Sequence, residues 1–184
     1  MRFEAGFSFF AVMGVLVCTD RDGISFLCLL ACVLHELGHL TVMLYEGRPP
    51  SLIRLYGGGI HISGGSRSIA AVSAGCAVNL ILFALFGLPP WESYHLRLFG
   101  VMNLPVALFN LLPIRELDGK LLLDRFLLRV CPAERAVHIS ELCERIAAAL
   151  VVPAALFLVF SGRLNFSAII FFFYLSAVEI FEKI

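Results

Sequence analysis

Two histidines and a glutamate stand close together in the sequence HELGH at residues 35–39, inside the apolar run from Ile24 to Tyr45. Each residue turns an α-helix by about 100°, so His35 and His39 lie on one face and both imidazoles can reach one metal ion. This spacing suits zinc. Glu36 projects about 100° from His35, close enough to touch a water molecule on such a metal without being a ligand. The stretch is a candidate hydrolytic centre, and the alternative is a set of hydrogen-bonded residues that pack one helix on another.

The surroundings of this sequence favour a functional role. The chain has 184 residues, of which 60% are hydrophobic and 15% charged, whereas the apolar share of soluble domains is about 45–50%. We therefore expect an integral membrane protein, in which charged groups inside a span cost about 2.5–3.5 kcal/mol each and are usually functional. The 14 basic and 14 acidic residues balance, so no net field attracts nucleic acid, and we expect no nucleic acid partner.

The hydropathy pattern predicts an all-α polytopic membrane protein with about six transmembrane helices. The first apolar stretch is short but lacks a signal-peptide cleavage site before Cys18, so we expect it to be retained. We expect one intramembrane domain over residues 1–184, with no additional soluble domain. The six predicted spans are Phe3 to Cys18, Ile24 to Tyr45, Ile69 to Leu88, Leu96 to a break near Pro113 and on to Val130, Leu142 to Phe160, and Leu164 to Phe181.

The distribution of Lys and Arg predicts the orientation of these spans. With a cytoplasmic N-terminus, ten basic residues fall on the cytoplasmic side and three on the other, which agrees with the positive-inside rule. We therefore expect both termini in the cytoplasm and the histidines in the cytoplasmic half of the second span. The two sets are Arg2, Arg48, Arg54, Arg67, Lys120, Arg125, Arg129, Arg135, Arg145 and Lys183 inside, and Arg21, Arg97 and Arg163 outside.

A glycine-rich segment follows the second span. Two short alternating apolar pieces flank the glycines, which predicts a small hairpin or a re-entrant loop at the cytoplasmic interface. Its edge could pair with an extended substrate backbone, and a plain connector is an equal alternative. His61 in this segment is more typical of a solvated residue than of a metal ligand. The candidate substrate edge comprises Gly57, Gly58, Gly59, Ile60, His61 and Ile62.

Two further segments carry polar residues where the membrane should be. Asn79 in the third span must find a partner, either a neighbouring helix or a substrate carbonyl, while Gly75 one turn earlier favours close helix packing. Pro113 and Gly119 predict a break in the fourth span, and broken backbone in a membrane must be buried or line a wet cavity. Asp118 in this break is the natural third metal ligand, and the alternative is a helix cap.

The remaining candidates have simpler explanations. Glu116 is a rival carboxylate, but its neighbour Arg115 and its place on the polar side of the break indicate an exposed or ion-paired residue. The six cysteines show no paired extracellular spacing, so we expect buried thiols. Cys28 and Cys32 lie before the first histidine, and we interpret them as packing residues.

The combination of these motifs resembles the site-2 proteases, a family of intramembrane zinc metalloproteases. The resemblance rests on HELGH at residues 35–39, on Ala74, Gly75 and Asn79 in the third span, and on NLLP at 110–113 followed by LDG at 117–119. The compact layout and the glycine-rich hairpin look most like the branch of the stage IV sporulation protease, which processes a membrane-tethered pro-sigma factor. Two departures are Cys76, where the family often has proline, and Lys120, where it has a second glycine.

The resemblance implies a function and a set of partners. It implies that His35, His39 and Asp118 bind one zinc ion, that Glu36 is the base, and that Asn79 and Asn110 position the substrate or the oxyanion. It also implies a membrane-tethered protein substrate such as a pro-sigma factor or another regulator, a membrane-embedded inhibitory or regulatory partner, and a place in the bacterial cytoplasmic membrane. Sporulation-branch proteins commonly carry a soluble nucleotide-sensing domain at the C-terminus, and we expect none in this chain.

The predicted reaction is hydrolysis of a peptide bond within or next to a transmembrane segment. A metal-binding membrane transporter would use the same ligands without hydrolysis, but it needs further polar residues in the outer halves of the spans, which are nearly free of them. A non-catalytic relative that holds a membrane helix predicts a damaged HELGH sequence, and residues 35–39 are intact.

Overall fold

The computed structural model describes residues 2–20, 23–56, 59–115 and 117–160. In this part of the chain most residues are helical, and three short strands form one sheet. The helices are α1 (Phe7–Thr19), α2 (Ile24–Tyr45), α3 (Ile69–Leu82), α4 (Tyr94–Asn110), α5 (Asp118–Val130) and α6 (Ala133–Phe160). The strands are β1 (Arg2–Ala5), β2 (Leu52–Tyr56) and β3 (Gly59–Ser63).

Two of these helices are long and apolar enough to cross a bilayer: α2, and α3 together with the π-helical turn Phe83–Gly87 that continues it. Large apolar side chains on the outside of the helices are exposed, among them Phe26 and Ile81. An extensive exposed apolar surface of this kind is typical of a protein that contacts a membrane or a partner at that surface, and is unusual where a protein faces water. These observations indicate a membrane protein. The number of transmembrane spans stays a prediction.

The boundaries of the predicted spans need correction. The fourth is divided into α4 and α5 by the break around Pro113, as expected, and the fifth belongs to a helix that begins earlier, at Ala133. The sixth predicted span, Leu164 to Phe181, lies outside the described residues.

The prediction that the first span begins at Phe3 is wrong, because residues 2–5 form β1. This strand runs parallel to β2, in a register that places Arg2 beside Leu52. Glu4 accepts a hydrogen bond of 3.0 Å from Nε of Arg54 on β2. Pairing with a strand distant in sequence therefore overrides the apolar character of the segment.

The glycine-rich segment forms the predicted hairpin. β2 and β3 pair antiparallel, with Tyr56 opposite Gly59, while Gly57 and Gly58 between them lie outside the described residues. The hairpin adds to β1 in the order β1-β2-β3, which makes the sheet one strand larger than predicted and leaves β3 at its edge. The fold is therefore helical with a small mixed sheet rather than all-α.

The helices α2, α3 and α4 pack together through small residues. Ala31 of α2, Ala71 of α3 and Ala107 of α4 are completely buried. Gly38 faces α3 so closely that a Cβ atom at this position would lie 2.9 Å from the carbonyl oxygen of Ala74. Small residues let helix backbones approach each other in membranes, and here they bring the polar groups of three helices to one place.

A polar cap connects the end of α2 to the start of α3. Glu46 accepts a hydrogen bond of 2.6 Å from Ser68 and another from Ser66. Ser68 is the N-cap of α3, since its Oγ accepts from the backbone N–H of Ala71 at 2.9 Å. An N-cap oxygen satisfies one of the free N–H groups of a helix, so Glu46 holds in place the residue that starts α3.

A second polar network connects α5 to α6. Lys120 on α5 donates a hydrogen bond of 2.6 Å to Ser140 and forms an ion pair of 3.1 Å with Glu144, both on α6. Ser140 also hydrogen-bonds Asp124. Lys120 stands where the resemblance leads us to expect glycine, and its contacts give it a structural role close to Asp118.

Candidate metal centre

The two histidines of α2 face inward, because the helical period places positions 35 and 39 on the side that meets α3. Their side chains are buried, and their Nε2 atoms lie 3.1 Å apart. The rings are nearly perpendicular, at 82°, with centroids 4.7 Å apart. Two ring nitrogens thus point at one location between the helices.

Asp118 completes a triangle with these nitrogens. Its Oδ2 atom lies 3.0 Å from Nε2 of His35 and 3.1 Å from Nε2 of His39. The break after α4 makes this possible, since a new helix, α5, begins at Asp118. Gly119 packs directly against the backbone of Leu111, where no side chain would fit. The N-cap position of α5 is Leu117, so Asp118 does not play the capping role considered as the alternative.

The outer nitrogens of both rings have partners that determine where the ring hydrogens are. Nδ1 of His39 lies 2.7 Å from the carbonyl oxygen of Ala71, which can only accept, so Nδ1 donates. Nδ1 of His35 lies 2.6 Å from Oδ1 of Asn79 and donates to it. In the neutral rings, both Nε2 atoms therefore carry lone pairs that face each other and the carboxylate of Asp118. Three acceptors in mutual contact repel one another unless a proton or a metal cation lies between them.

The donor set fits zinc. Bonds of about 2.0–2.1 Å in a tetrahedral site separate the ligand atoms by about 3.3–3.4 Å, close to the edges of this triangle. Two imidazole nitrogens and one carboxylate oxygen form a known catalytic set that leaves a fourth position open. The outer hydrogen bonds of the histidines are the kind of support that metal-bound imidazoles usually have. His35, His39 and Asp118 could therefore hold zinc with little rearrangement.

Glu36 lies on the same helix, next to His35, and is half-buried. It contributes none of the three converging atoms. This position agrees with the predicted role of a base beside the metal, which stays a prediction. Glu116, the rival carboxylate, lies outside the described residues.

Cys76 is a residue of this centre that the sequence reasoning treated only as a buried thiol. Its Sγ atom lies 3.7 Å from Oδ2 of Asp118, and its side chain is buried. Ligand atoms of His35, Cys76 and Asp118 all lie within 4.8 Å of one another. The departure from the proline that the family often has at this position was the available signal. Cys32, in contrast, is exposed.

Gly75 has a more specific role than general helix packing. An added Cβ atom would collide with Nε2 of His39 and would lie 2.7 Å from the ring of His35. The missing side chain at position 75 provides the space in which the two rings meet.

The two predicted amide residues occupy different surroundings. Asn79 is completely buried and contacts His35, Ala31 and Asn103 through hydrogen bonds. It thus finds its partners on neighbouring helices. Asn110 donates a hydrogen bond of 3.0 Å to the carbonyl oxygen of Val106 in its own helix and is half-buried. Its role toward a substrate stays a prediction.

Sequence reasoning missed Asn103. This residue of α4 is completely buried and donates a hydrogen bond of 2.7 Å to the carbonyl oxygen of Phe99. The signal that singled out Asn79, an amide in an apolar helix that must find a partner, applies equally to Asn103.

No protein-family model matches the chain. A Synechocystis protein named "Putative zinc metalloprotease sll0528" is 38% identical over 100 residues, which cover 47% of this chain and 26% of the relative. The chain thus spans about a quarter of the length of the curated relative it matches.

A solved structure resembles the chain over most of its length. The site-2 protease from Methanocaldococcus jannaschii matches with a TM-score of 0.59 and 21% sequence identity, over 87% of this chain and 81% of that one. At this identity the likeness concerns the fold. The chain therefore has the fold of the site-2 protease from M. jannaschii.

Proposed function

We propose that this chain is an intramembrane zinc metalloprotease of the site-2 family, which hydrolyses a peptide bond within or next to a transmembrane segment. The observation that carries the proposal is the triangle of two buried histidines, His35 and His39, with Asp118, whose side chain is 15% exposed. A charged group at such a depth is costly and is usually functional. The intact HELGH sequence supports hydrolysis, because it adds a glutamate to the two histidines.

The roles of the side chains follow from their chemistry. His35, His39 and Asp118 would hold the metal. A zinc ion bound there would lower the pKa of water from about 15.7 to about 7 and polarise the scissile carbonyl group. The carboxylate of Glu36 would accept a proton from the attacking water and return it to the nitrogen of the leaving amine. The apolar packing of α2, α3 and α4 would limit the access of bulk water.

The substrate would be a membrane-tethered protein whose helix unwinds locally, because backbone hydrogen bonds cover the carbonyl that is attacked. β3 supports this part of the proposal, since it lies at the edge of the sheet and offers backbone groups to an extended segment. Asn110 would help to position that segment. We include a pro-sigma factor or another membrane-tethered regulator among the substrates, and an inhibitory membrane partner among the regulators.

The orientation is also part of the proposal. We place the protein in the bacterial cytoplasmic membrane as a multi-pass protein with both termini in the cytoplasm. The metal centre then lies toward the cytoplasmic half, where water and an unwound substrate can reach it. The distribution of Lys and Arg supports this orientation.

The experiment compares wild-type protein with Glu36→Gln. Both are purified in detergent, loaded with zinc and incubated with single-span test proteins that carry a tag on each side of a transmembrane segment. We expect equal zinc content in both proteins and cleavage by the wild type alone. Cleavage by Glu36→Gln at the wild-type rate, or no cleavage of any test protein by the zinc-loaded wild type, would contradict the proposal.

Cys76 favours a second candidate, a non-catalytic protein that holds a metal with four protein ligands. A fourth ligand would close the position that water needs. Substitution of cobalt(II) for zinc distinguishes the protease from the four-ligand site. A thiolate bound to cobalt(II) gives an intense charge-transfer band in the ultraviolet absorption spectrum. A protease with an open position lacks this band, whereas a closed site shows it and loses it in Cys76→Ser.

A further inference from the structure

We propose that Asn103 is a positioning residue of the metal centre: through Asn79, it keeps the ring of His35 in the tautomer that presents Nε2 to the metal. The inference rests on the proposed metal centre. The residues concerned come from three different helices: His35 from α2, Asn79 from α3 and Asn103 from α4.

The orientation of both amides follows from backbone carbonyl groups, which can only accept hydrogen bonds. The atom of Asn79 that lies 3.1 Å from the carbonyl oxygen of Ala31 must be its nitrogen, so its oxygen faces His35. In the same way, the atom of Asn103 that lies 2.7 Å from the carbonyl oxygen of Phe99 must be nitrogen. The oxygen of Asn103 then accepts the second N–H of Asn79, at 2.7 Å.

The side chain of Asn79 has a partner for each of its hydrogen-bonding groups. Asn79 uses both N–H groups, toward Ala31 and Asn103, and its oxygen accepts from His35. Both amides are completely buried. Burial of two amides in apolar helices is costly unless each is satisfied, so removal of one member leaves the next one unpaired.

The order of these bonds has a direct effect on His35. A half turn of the Asn79 amide would place its N–H group against Nδ1 of His35, which would then have to accept. The hydrogen of the ring would move to Nε2, and that atom would lose the lone pair that a metal needs. Two acceptors oppose this turn, the carbonyl oxygen of Ala31 and Oδ1 of Asn103. Without Asn103, only the carbonyl oxygen of Ala31 opposes the turn.

The test replaces Asn103 by leucine, which has a similar shape but no hydrogen-bonding group. Histidine is labelled with 15N in the full-length protein in detergent micelles, and the ring nitrogens of His35 are observed without metal, at a pH where the ring is neutral and carries a single hydrogen. We expect Nδ1–H in the wild type and a mixture with Nε2–H in Asn103→Leu. Zinc affinity, measured by chelator competition, should fall about 10-fold or more, as for other outer partners of metal ligands.

Two further variants separate positioning from general damage. Asn103→Asp in its neutral form can still donate to Phe99 and accept from Asn79, so it should restore both the tautomer and the affinity. Ser66→Ala removes a hydrogen bond from another buried side chain and should leave both unchanged. In the double variant of Asn79→Leu and Asn103→Leu, zinc affinity should equal that of Asn79→Leu alone, because the two residues act in series.

Three results would overturn the inference. One is a neutral wild-type His35 ring that carries its hydrogen on Nε2 and none on Nδ1, a measurement that depends on no variant. Another is a folded Asn103→Leu protein with unchanged tautomer and affinity. The third is an additive loss in the double variant. None of these readouts uses proteolysis, so a zinc-binding protein that cleaves no substrate would contradict the proposed function and leave this inference standing.

Discussion

Gly75 lies so close to the ring of His39 that the methyl group of an alanine at this position would collide with Nε2, the atom that faces Asp118. The helix α3 therefore shapes the candidate metal centre through Gly75, a residue that has no side chain. This contact makes glycine a requirement of the site and not only of helix packing.

We predict that Gly75→Ala weakens zinc binding by at least about 10-fold, because the added methyl group displaces both rings by more than a metal site tolerates. Zinc affinity is measured by chelator competition. The matched control is Gly14→Ala in α1, where an added Cβ has open space. Wild-type affinity in Gly75→Ala would show that the rings do not meet as described.

Asp118 should be indispensable for the metal. We predict that Asp118→Ala loses zinc during purification, since two neutral imidazoles alone form an incomplete site without the carboxylate charge. The decrease in zinc affinity should exceed the roughly 10- to 100-fold decrease that is typical when a hydrogen-bond partner of a metal ligand is removed. Elemental analysis of the purified protein measures it, with His35→Ala as a positive control. Stoichiometric zinc in Asp118→Ala would direct attention to Cys76.

The ion pair between Lys120 and Glu144 should stabilise the contact of α5 with α6. Both side chains are largely buried, at 15% and 22% exposure. We predict that Lys120→Met lowers the thermal unfolding midpoint by about 2–4 °C, as a loss of about 1 kcal/mol does in a chain of this size. Glu144→Gln should have a similar effect, and the double variant should lose less than the sum.

The control for this prediction is Arg145→Met. Arg145 pairs with Glu141 at 3.7 Å, but their side chains are 80% and 54% exposed. Exposed pairs contribute little, so the midpoint should hardly move. Equal shifts in Lys120→Met and Arg145→Met would mean that burial does not strengthen the Lys120 pair.

Glu46 should make stability depend on pH. Hydrogen bonds from Ser66 and Ser68, together with the charge of Arg48, hold the pKa of its carboxyl group below the ordinary value of 4.5. A carboxyl group whose pKa is lower in the folded protein stabilises it above the unfolded pKa, and this contribution disappears as the pH falls through the folded pKa.

The measurement is the thermal unfolding midpoint in detergent, from pH 7 down to the acid range. The wild type should lose stability below about pH 4.5, and Glu46→Gln should lose less over the same interval because it has no carboxyl group at this position. A parallel fall in both proteins would show that other groups dominate the acid response.

Local sequence features predicted part of this structure well. The helical period places His35 and His39 on one face, the glycines predict the hairpin, and Pro113 and Gly119 predict the break that brings Asp118 to the histidines. The shared helix face, the hairpin and the break each lie within a few residues of their signal, so elementary geometry is sufficient for them. The meeting of Asp118 with His35 spans 83 positions and depends on how α5 packs against the other helices.

The relationships that were missed depend on contacts between distant segments. The apolar character of the first segment predicts a helix from Phe3, because nothing in that segment shows that β2 can pair with it as a strand. The roles of Gly75 and Cys76 toward the histidines and Asp118 become visible only when α3 is packed against α2 and α5. Asn103 carried a usable signal, but its partner was visible only in three dimensions.

The parallel pairing of β1 with β2 has a consequence for the synthesis of the protein. Arg2 pairs with Leu52, fifty positions later, and the whole of α1 and α2 lies between them. The backbone hydrogen bonds between β1 and β2 therefore cannot form until α2, with its two histidines, and β2 have left the ribosome. Closure of the sheet therefore requires that the first two helices have already turned back and placed both strands on the same side.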